Sequence, residues 1–228
     1  MKTLSILIPV FNEEKTIDSV LEHVVNVSIP KWNKEIIVIN DGSSDLTKNK
    51  LKKWEKKIRI IHCDKNNGKG ASLVKGFQFA RGDIILIQDA DLEYDPADYN
   101  TLLTPFDNEQ VEIVYGSRFL GPHLSTMYVY AIGNKFVTWV TNVLYNTNIT
   151  DMETGYKAFR RKILDNITIH AKRFDFEPEF TAKVLRKNHQ IYEVPISYFG
   201  RTFSQGKKLT WRDGVIALFT LIKYRFIS

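Results

Sequence analysis

The chain has 228 residues, 43% of them hydrophobic and 25% charged, with a net charge of +6. That is enough apolar material for one large folded domain, and too much for a disordered chain. A single cysteine, Cys63, excludes an intramolecular disulfide framework and a cysteine-rich zinc site. The positive balance points to anionic partners (nucleotide phosphates, nucleic acid or acidic lipid), although it equally suits a solvated surface. No run reaches the ~18–20 apolar residues of a spanning helix. The apolar start "LSILIPV" is broken by Pro9 and followed by Asn-Glu-Glu, unlike a secretory leader, so a cytoplasmic protein is expected.

"TLSILIPV" (3–10) predicts a buried strand, and "EKTIDSVLEHVVNV" (14–27) a helix with apolar residues at Ile17, Val20, Leu21, Val24 and Val25. "EIIVIN" (35–40) predicts a second strand. "SSDLTKNKLKKWEKK" (43–57) predicts a helix opened by Ser/Asp caps, with a lysine-rich outer face. "IRIIH" (58–62), "DIILIQ" (83–88) and "VEIVYGS" (111–117) predict further strands, with a helix over "GKGASLVKGFQFA" (68–80). Beyond residue 120 the pattern is less regular. "LSTMYVYAIGNKFVTWVTNVLYN" (124–146) is apolar and aromatic, with Lys135 its sole charge. "PEFTAKVLRKN" (178–188) and "TWRDGVIALFTLIKYRF" (210–226) predict helices, and "IYEVPISYF" (191–199) a strand. Continuously apolar strands alternating with helices make an α/β fold, a mostly parallel central sheet with helices on both faces. Ligands of such sheets bind beyond the carboxyl ends of the strands.

The chemistry-bearing residues fall there. After "DIILI" comes "IQDADLEYDP" (87–96), with Asp89 and Asp91 two apart and therefore on one side of an extended chain. Nearby carboxylates are hard oxygen ligands for Mg²⁺ or Mn²⁺, and Glu93 is spaced to be a third; a solvated acidic turn capping the next helix reads the same residues differently. "VINDGSSD" places Asp41 where an acid accepts from a base N–H or ribose hydroxyl, or where an Asp-Gly turn precedes a capped helix. "NNGKGAS" (66–72) offers backbone N–H groups and Lys69 to a phosphate, or forms a turn with a solvated lysine. Neither a dinucleotide glycine fingerprint nor a P-loop is present. Residues 201–225 hold Arg201, Lys207, Lys208, Arg212, Lys223 and Arg225 against one acid, Asp213, interleaved with Phe203, Trp211 and Phe219. That mix suits an anionic membrane surface or single-stranded nucleic acid. The largely uncharged 124–146 stretch favours the membrane, unless it is ordinary core.

Taken together, "SILIPVFNEE", "VINDGSSD", "NNGKGASLVKGF", "IQDADLEYDP", "VYGSRFLG", "TDMETGYKAFRR", "FDFEPE" and "YEVPISYFGRTFSQGKKL" resemble a family-2 glycosyltransferase of GT-A fold. The nearest likeness is to the dolichol-phosphate mannose synthase branch, which includes bacterial polyprenyl-phosphate glycosyltransferases. The resemblance implies that Pro9, Phe11, Glu13 and Asp41 hold the base and ribose of a GDP- or UDP-linked hexose. It implies that Asp89 and Asp91, with Glu93 assisting, hold Mg²⁺ or Mn²⁺ on the diphosphate. Arg118 faces the acceptor, Asp151, Thr154 and Lys157 lie near it, and Arg201 and Lys207 touch phosphates, with Lys69 a further phosphate contact read from its glycine-rich loop. It divides the chain into a GT-A catalytic domain over 1–200 (a nucleotide-sugar half, 1–120, and an acceptor half, 121–200) and a basic loop with an amphipathic helix over 201–228. The branch usually reads R-x-x-G-x-S-K where this chain has "RTFSQGK", which leaves open which hydroxyl contacts phosphate.

The expected activity is metal-dependent, inverting transfer of a hexose to a polyprenyl phosphate by a peripheral enzyme on the inner face of the membrane, part of cell-envelope chemistry and without nucleic acid as a partner. A transferase acting on a glycan or protein hydroxyl would need a base, for which Asp175, Glu177 and Glu179 are candidates unless they only favour a helix N-terminus. A binding module without turnover is the non-enzymatic alternative. A sugar nucleotidyltransferase would want a glycine-rich basic loop where this chain has "FNEE".

Overall fold

The computed structural model describes residues 1–122, 128–201 and 211–227. Strands β1 (Lys2–Val10), β2 (Trp32–Asn40), β3 (Arg59–His62), β4 (Ile84–Ile87), β5 (Ile113–Ser117), β6 (Lys157–Arg160) and β7 (Ile191–Pro195) form a 7-stranded sheet in the order β3-β2-β1-β4-β6-β5-β7. β1 is parallel to β2 and β4, β2 to β3, and β5 to β7. β6 runs antiparallel between β4 and β5. Successive strand residues point to opposite faces, and the apolar runs divide accordingly. Leu4, Ile6, Ile8, Val38 and Leu86 pack against Ile17, Val20, Leu21 and Val24 of α1 (Ile17–Asn26) and Leu102 of α4 (Tyr99–Leu103). Leu7, Ile37, Ile39, Ile85 and Ile87 meet Leu73 of α3 (Lys69–Phe77) and Phe176, Phe180 and Val184 of α6 (Phe176–Arg186). Each such side chain contributes about 1.5–3 kcal/mol on burial, which is why the parallel core was legible as unbroken hydrophobic runs.

Two expectations need correction, and one strand was not expected at all. The helix expected over 43–57 is only α2 (Thr47–Leu51) and a 3₁₀ turn at Lys52–Trp54. Its intended first turn is tied instead to the turn after β1: Asn12 N donates to Ser43 Oγ (3.0 Å), Ser44 N to Asn12 Oδ1 (2.8 Å) and Glu14 N to Asp45 Oδ2 (3.1 Å). The strand expected over 191–199 ends at Pro195, and only Tyr198 resumes pairing, as a single bridge to Tyr94. β6 had no strand signature, because four residues flanked by Lys157 and Arg160 carry no apolar period; it exists because β4 and β5 offer it two open ladders.

α5 (Tyr128–Tyr145) and α7 (Trp211–Phe226) lie together beside the sheet. Val137 of α5, Ala182 of α6 and Ala217, Leu221 and Tyr224 of α7 make a third core cluster. The opposite sides of both helices are bare: Phe136, Trp139 and Val143 on α5, and Trp211, Val215, Phe219, Ile222 and Phe226 on α7 are exposed. The two alternatives for 124–146, core and surface, thus describe opposite faces of one helix. Among the described residues no helix is long and apolar enough to cross a membrane.

Candidate active site

The ends of β1, β2 and β4 converge on one acidic cleft. Two tight turns expose its groups: Asn12 (φ 52°) follows β1 and Leu92 (φ 63°) follows β4, both left-handed. A bulky leucine in that region is strained, and such strain clusters at functional turns. Asp91 accepts from Glu93 N at 3.2 Å and lies 3.1 Å from Arg201 Nη2. Arg201 also meets Glu13, Nη1 to Oε2 and Nη2 to Oε1 each at 3.2 Å, and donates its backbone N–H to Glu93 Oε1 at 2.8 Å. Burial first, then Asp89 and Glu93, push the Asp91 carboxyl up to about 7. A group so placed gains from an added positive charge, and Arg201 supplies part of it.

Asp89 is held from the other side. Lys69 Nζ stands 2.7 Å from Asp89 Oδ1 and 2.8 Å from Glu177 Oε1, which joins the start of α3 to the first turn of α6. Although burial opposes its charge, Asp89 and Glu177 raise the Lys69 ammonium well above its usual range. A Cβ on Gly155 would meet Asp89 Oδ2 at 2.3 Å, so a side chain there would displace the acid.

A hard divalent cation fits this donor set. Asp89 and Asp91 are oxygen donors, and a protein cation already sits against each, Lys69 against Asp89 and Arg201 against Asp91. Glu93 is engaged elsewhere: Tyr198 Oη donates to its Oε2 at 2.7 Å and Arg201 N to its Oε1. The three-acid set expected from spacing therefore does not converge, and among the described residues no group of three or more His, Cys, Asp or Glu is arranged to hold a metal.

Arg118, at the end of β5, forks Asp151 through Nε (2.7 Å) and Nη2 (2.7 Å) and donates its backbone N–H to the same carboxylate at 3.0 Å. Its guanidinium lies 5.2 Å from the Tyr198 ring centroid. Thr154 donates to Gly116 O at 2.6 Å, and Lys157 Nζ donates to Met152 O (2.8 Å) and Thr154 O (2.6 Å). Asp151, Thr154 and Lys157 are fully buried. In this state they brace the Arg118 wall rather than present free groups to a ligand. Asp41 likewise turns inward, accepting from Asn67 N (3.0 Å) and Gly68 N (2.7 Å) and thereby shaping the glycine-rich loop. Gly68 has φ 97°, and a Cβ there would strike Lys172 O at 2.3 Å, so this loop needs glycine. Beside Asp41, a cavity of about 440 Å³ opens between β3 and α3, lined by His62, Cys63, Ser72 and Lys75 among others. Pro9 lies in β1 and Phe11 in the turn after it, both half-buried. Lys207 and the hydroxyl of the 201–208 loop fall outside the described residues.

Sequence reasoning missed two participants. Tyr198 holds Glu93, and it was read only as part of a strand. Glu153 lies inside the quoted "DMETGYK", but nothing in that string marks it, because its significance is the partner it lacks. Of the rest of the cleft, Asp41, Lys69, Asp89, Asp91 and Glu93 follow from what stands at the strand ends, and the other residues from the family resemblance.

Comparison with known proteins bears on the family and the fold. The chain is 27% identical over 228 residues to the UDP-N-acetylglucosamine–dolichyl-phosphate N-acetylglucosaminyltransferase of Methanococcus voltae, covering 90% of this chain and 89% of that protein. It is 25% identical over 211 residues to the dodecaprenyl-phosphate galacturonate synthase of Rhizobium johnstonii, covering 90% of this chain but only 61% of that protein. The chain thus spans about three-fifths of the length of the second relative. In structure it resembles glucosyl-3-phosphoglycerate synthase from Mycobacterium tuberculosis, in complex with Mn²⁺, uridine diphosphate and glucosyl-3-phosphoglycerate, with a TM-score of 0.78 at 19% identity over 100% of this chain and 81% of that one. That likeness bears out the expected GT-A-type fold. With the glycosyl transferase family 2 model matching residues 5–168, the chain belongs to that family.

Proposed function

We propose that the protein transfers a hexosyl group, with inversion, from a nucleoside-diphosphate sugar to a polyprenyl phosphate at the inner membrane face, using Mg²⁺ or Mn²⁺. The observation that carries the lipid acceptor is the bare apolar face of α5 and α7. Each helix begins within ten residues of a cleft arginine: Arg118 precedes Tyr128, and Arg201 precedes Trp211. Exposed Trp139, Phe136, Trp211, Phe219 and Phe226, flanked by Lys135, Arg212, Lys223 and Arg225, have the composition of an interfacial surface. Such a surface would bring a membrane-borne phosphate to the cleft. The Methanococcus and Rhizobium relatives, both named for polyprenyl-type phosphates, support the same acceptor class.

The acidic side of the cleft would take the donor. Asp89 and Asp91 would hold the cation, which when bound neutralises charge on the departing diphosphate. Lys69, itself anchored by Glu177, holds Asp89 in place directly. Arg201 would turn from the acids to the phosphates as these arrive. Arg118, stiffened by Asp151 and Tyr198, would steady the acceptor phosphate.

A phosphate acceptor needs no base, since a phosphomonoester is already largely dianionic near neutral pH, its second pKa being about 6. The base candidates are all engaged. Asp175 accepts from Lys172 N (3.1 Å) and Arg173 N (2.6 Å), Glu177 pairs with Lys69 (2.8 Å), and Glu179 pairs with Lys183. That engagement favours the phosphate over a sugar or protein hydroxyl. The test is incubation with radiolabelled UDP- and GDP-sugars and undecaprenyl or dolichyl phosphate, followed by organic extraction. Label in the organic phase is expected for one donor. Label that stays aqueous for every donor and both lipids defeats the proposal.

A further inference from the structure

Glu153 stands in the segment that enters β6, between residues that are all tied down. Asp151 N donates to Glu193 Oε1 (3.0 Å), Met152 N to Thr138 Oγ1 (3.2 Å), Thr154 Oγ1 to Gly116 O (2.6 Å) and Gly155 N to Tyr94 Oη (2.8 Å). The backbone on both sides is therefore fixed. Yet Glu153, whose side chain is only partly buried, turns its Oε1 away from solvent, and among the described residues that atom has no hydrogen-bond partner. Buried polar atoms in folded proteins are almost always satisfied, and the exceptions call for a specific explanation. Here the exception lies beside the cleft, among Glu177, Lys157, Arg118 and Asp151.

Those neighbours define what can complete it. Lys157 is engaged by two carbonyl oxygens and Lys69 by Asp89 and Glu177, while Arg118, forked by Asp151, is assigned above to the acceptor phosphate. An anionic group brought to Oε1 would meet Glu177 and Asp151 and find the adjacent cations already paired. A hydroxyl donates a hydrogen bond and carries no charge, so it supplies what the atom lacks. Burial, and then Glu177, also hold the Glu153 carboxyl protonated well above the usual carboxylate range. A protonated carboxyl accepts at one oxygen and donates at the other, which matches two neighbouring hydroxyls of a sugar ring.

We infer that Glu153 is a specificity-determining residue for the donor, its carboxyl taking a ring hydroxyl of a neutral hexosyl group and excluding a hexuronate. This inference rests on the transferase reading above. It distinguishes the chain from its Rhizobium relative, which is named for galacturonate.

Calorimetric titration in Mn²⁺ tests it, with wild type, Glu153→Gln and Glu153→Ala against UDP, GDP, UDP-glucose, GDP-mannose and UDP-glucuronate. For the wild type, a neutral nucleotide sugar is expected to bind about tenfold or more tightly than UDP-glucuronate. Glu153→Ala should weaken that neutral sugar by about tenfold while its bare diphosphate stays within about twofold, and Glu153→Gln should recover most of the loss. Glu153→Ala should melt at or above the wild-type temperature, because the orphaned oxygen is gone, and Glu153→Gln, which keeps an amide oxygen there, should melt close to it. Equal weakening of bare diphosphate and nucleotide sugar overturns the inference. So does sugar binding unchanged in Glu153→Ala, wild-type binding of UDP-glucuronate as tight as that of the neutral sugars, or a lowered melting temperature in both variants. If the wild type binds no nucleoside diphosphate at all, the transferase reading fails first and takes this inference with it.

Discussion

Arg201 Nη2 lies 3.1 Å from Asp91 Oδ2 and 3.2 Å from Glu13 Oε1, so one guanidinium links the turn after β1 to the turn after β4. It stands against a carboxyl that burial and two neighbouring acids hold partly protonated. On the proposed function, Arg201 and a divalent cation would therefore compete for Asp91. Replacing it by Met is expected to tighten Mn²⁺ binding to the nucleotide-free protein several-fold. Turnover should fall at the same time by about a hundredfold, since the phosphates lose a donor. Titration followed by Mn²⁺ paramagnetic resonance reads the first effect and a transfer assay the second. Unchanged Mn²⁺ affinity would show that Arg201 does not screen the acid.

Asp91→Ala should abolish turnover, by about a hundredfold or more, while leaving the fold intact. Asp91 accepts only one backbone hydrogen bond, from Glu93, and shares Arg201 with Glu13, so little of the fold depends on it. Circular dichroism melting beside a transfer assay separates the two effects. An active Asp91→Ala protein would place the cation elsewhere.

Lys69→Met should be among the most destabilising changes in the cleft. It leaves Asp89 and Glu177 facing each other with no cation between, and breaking a buried pair in this way costs about 3–5 kcal/mol. Urea denaturation measures it. A loss under about 1 kcal/mol would mean that the two acids are well solvated.

Trp139→Glu with Phe219→Glu should detach the protein from vesicles of anionic phospholipid by about tenfold in a flotation assay, and raised salt should weaken the wild type in the same direction. Both side chains are well exposed, at 60% and 68%, so melting should be unaffected. Retained flotation would remove these faces from the membrane.

The Glu153 carboxyl is raised, by burial first and then by Glu177, to about 8. A raised acid binds its proton more tightly in the folded chain, so its contribution to stability is present at low pH and is lost as pH climbs from the unfolded value of about 4.5 towards about 8. The melting temperature should fall across that window, and Glu153→Gln should flatten the slope. An equal slope in both proteins would assign it to other groups.

The wild-type sequence by itself determined the central sheet. Runs such as "ILIPV" (6–10) and "IILI" (84–87) are apolar at every position, which only a strand covered on both faces tolerates, and the alternation of Leu4, Ile6 and Ile8 with Leu7 then assigns each residue its layer. It also put Asp41, Asp89, Asp91 and Arg118 at strand ends, because loop chemistry that follows a buried strand is local in the chain. Only the tertiary structure decided who neutralises whom. Lys69 reaches Asp89 and Glu177 across separations of 20 and 108 residues, and Arg201 reaches Glu13 across 188. No pattern along the chain encodes such pairings, since they follow from how helices and loops pack over the sheet. β6 was hidden for the same reason: its ladder bonds belong to β4 and β5, not to its own four residues. Glu153 shows the limit most sharply, because an atom without a partner can be recognised only when every possible partner has been placed.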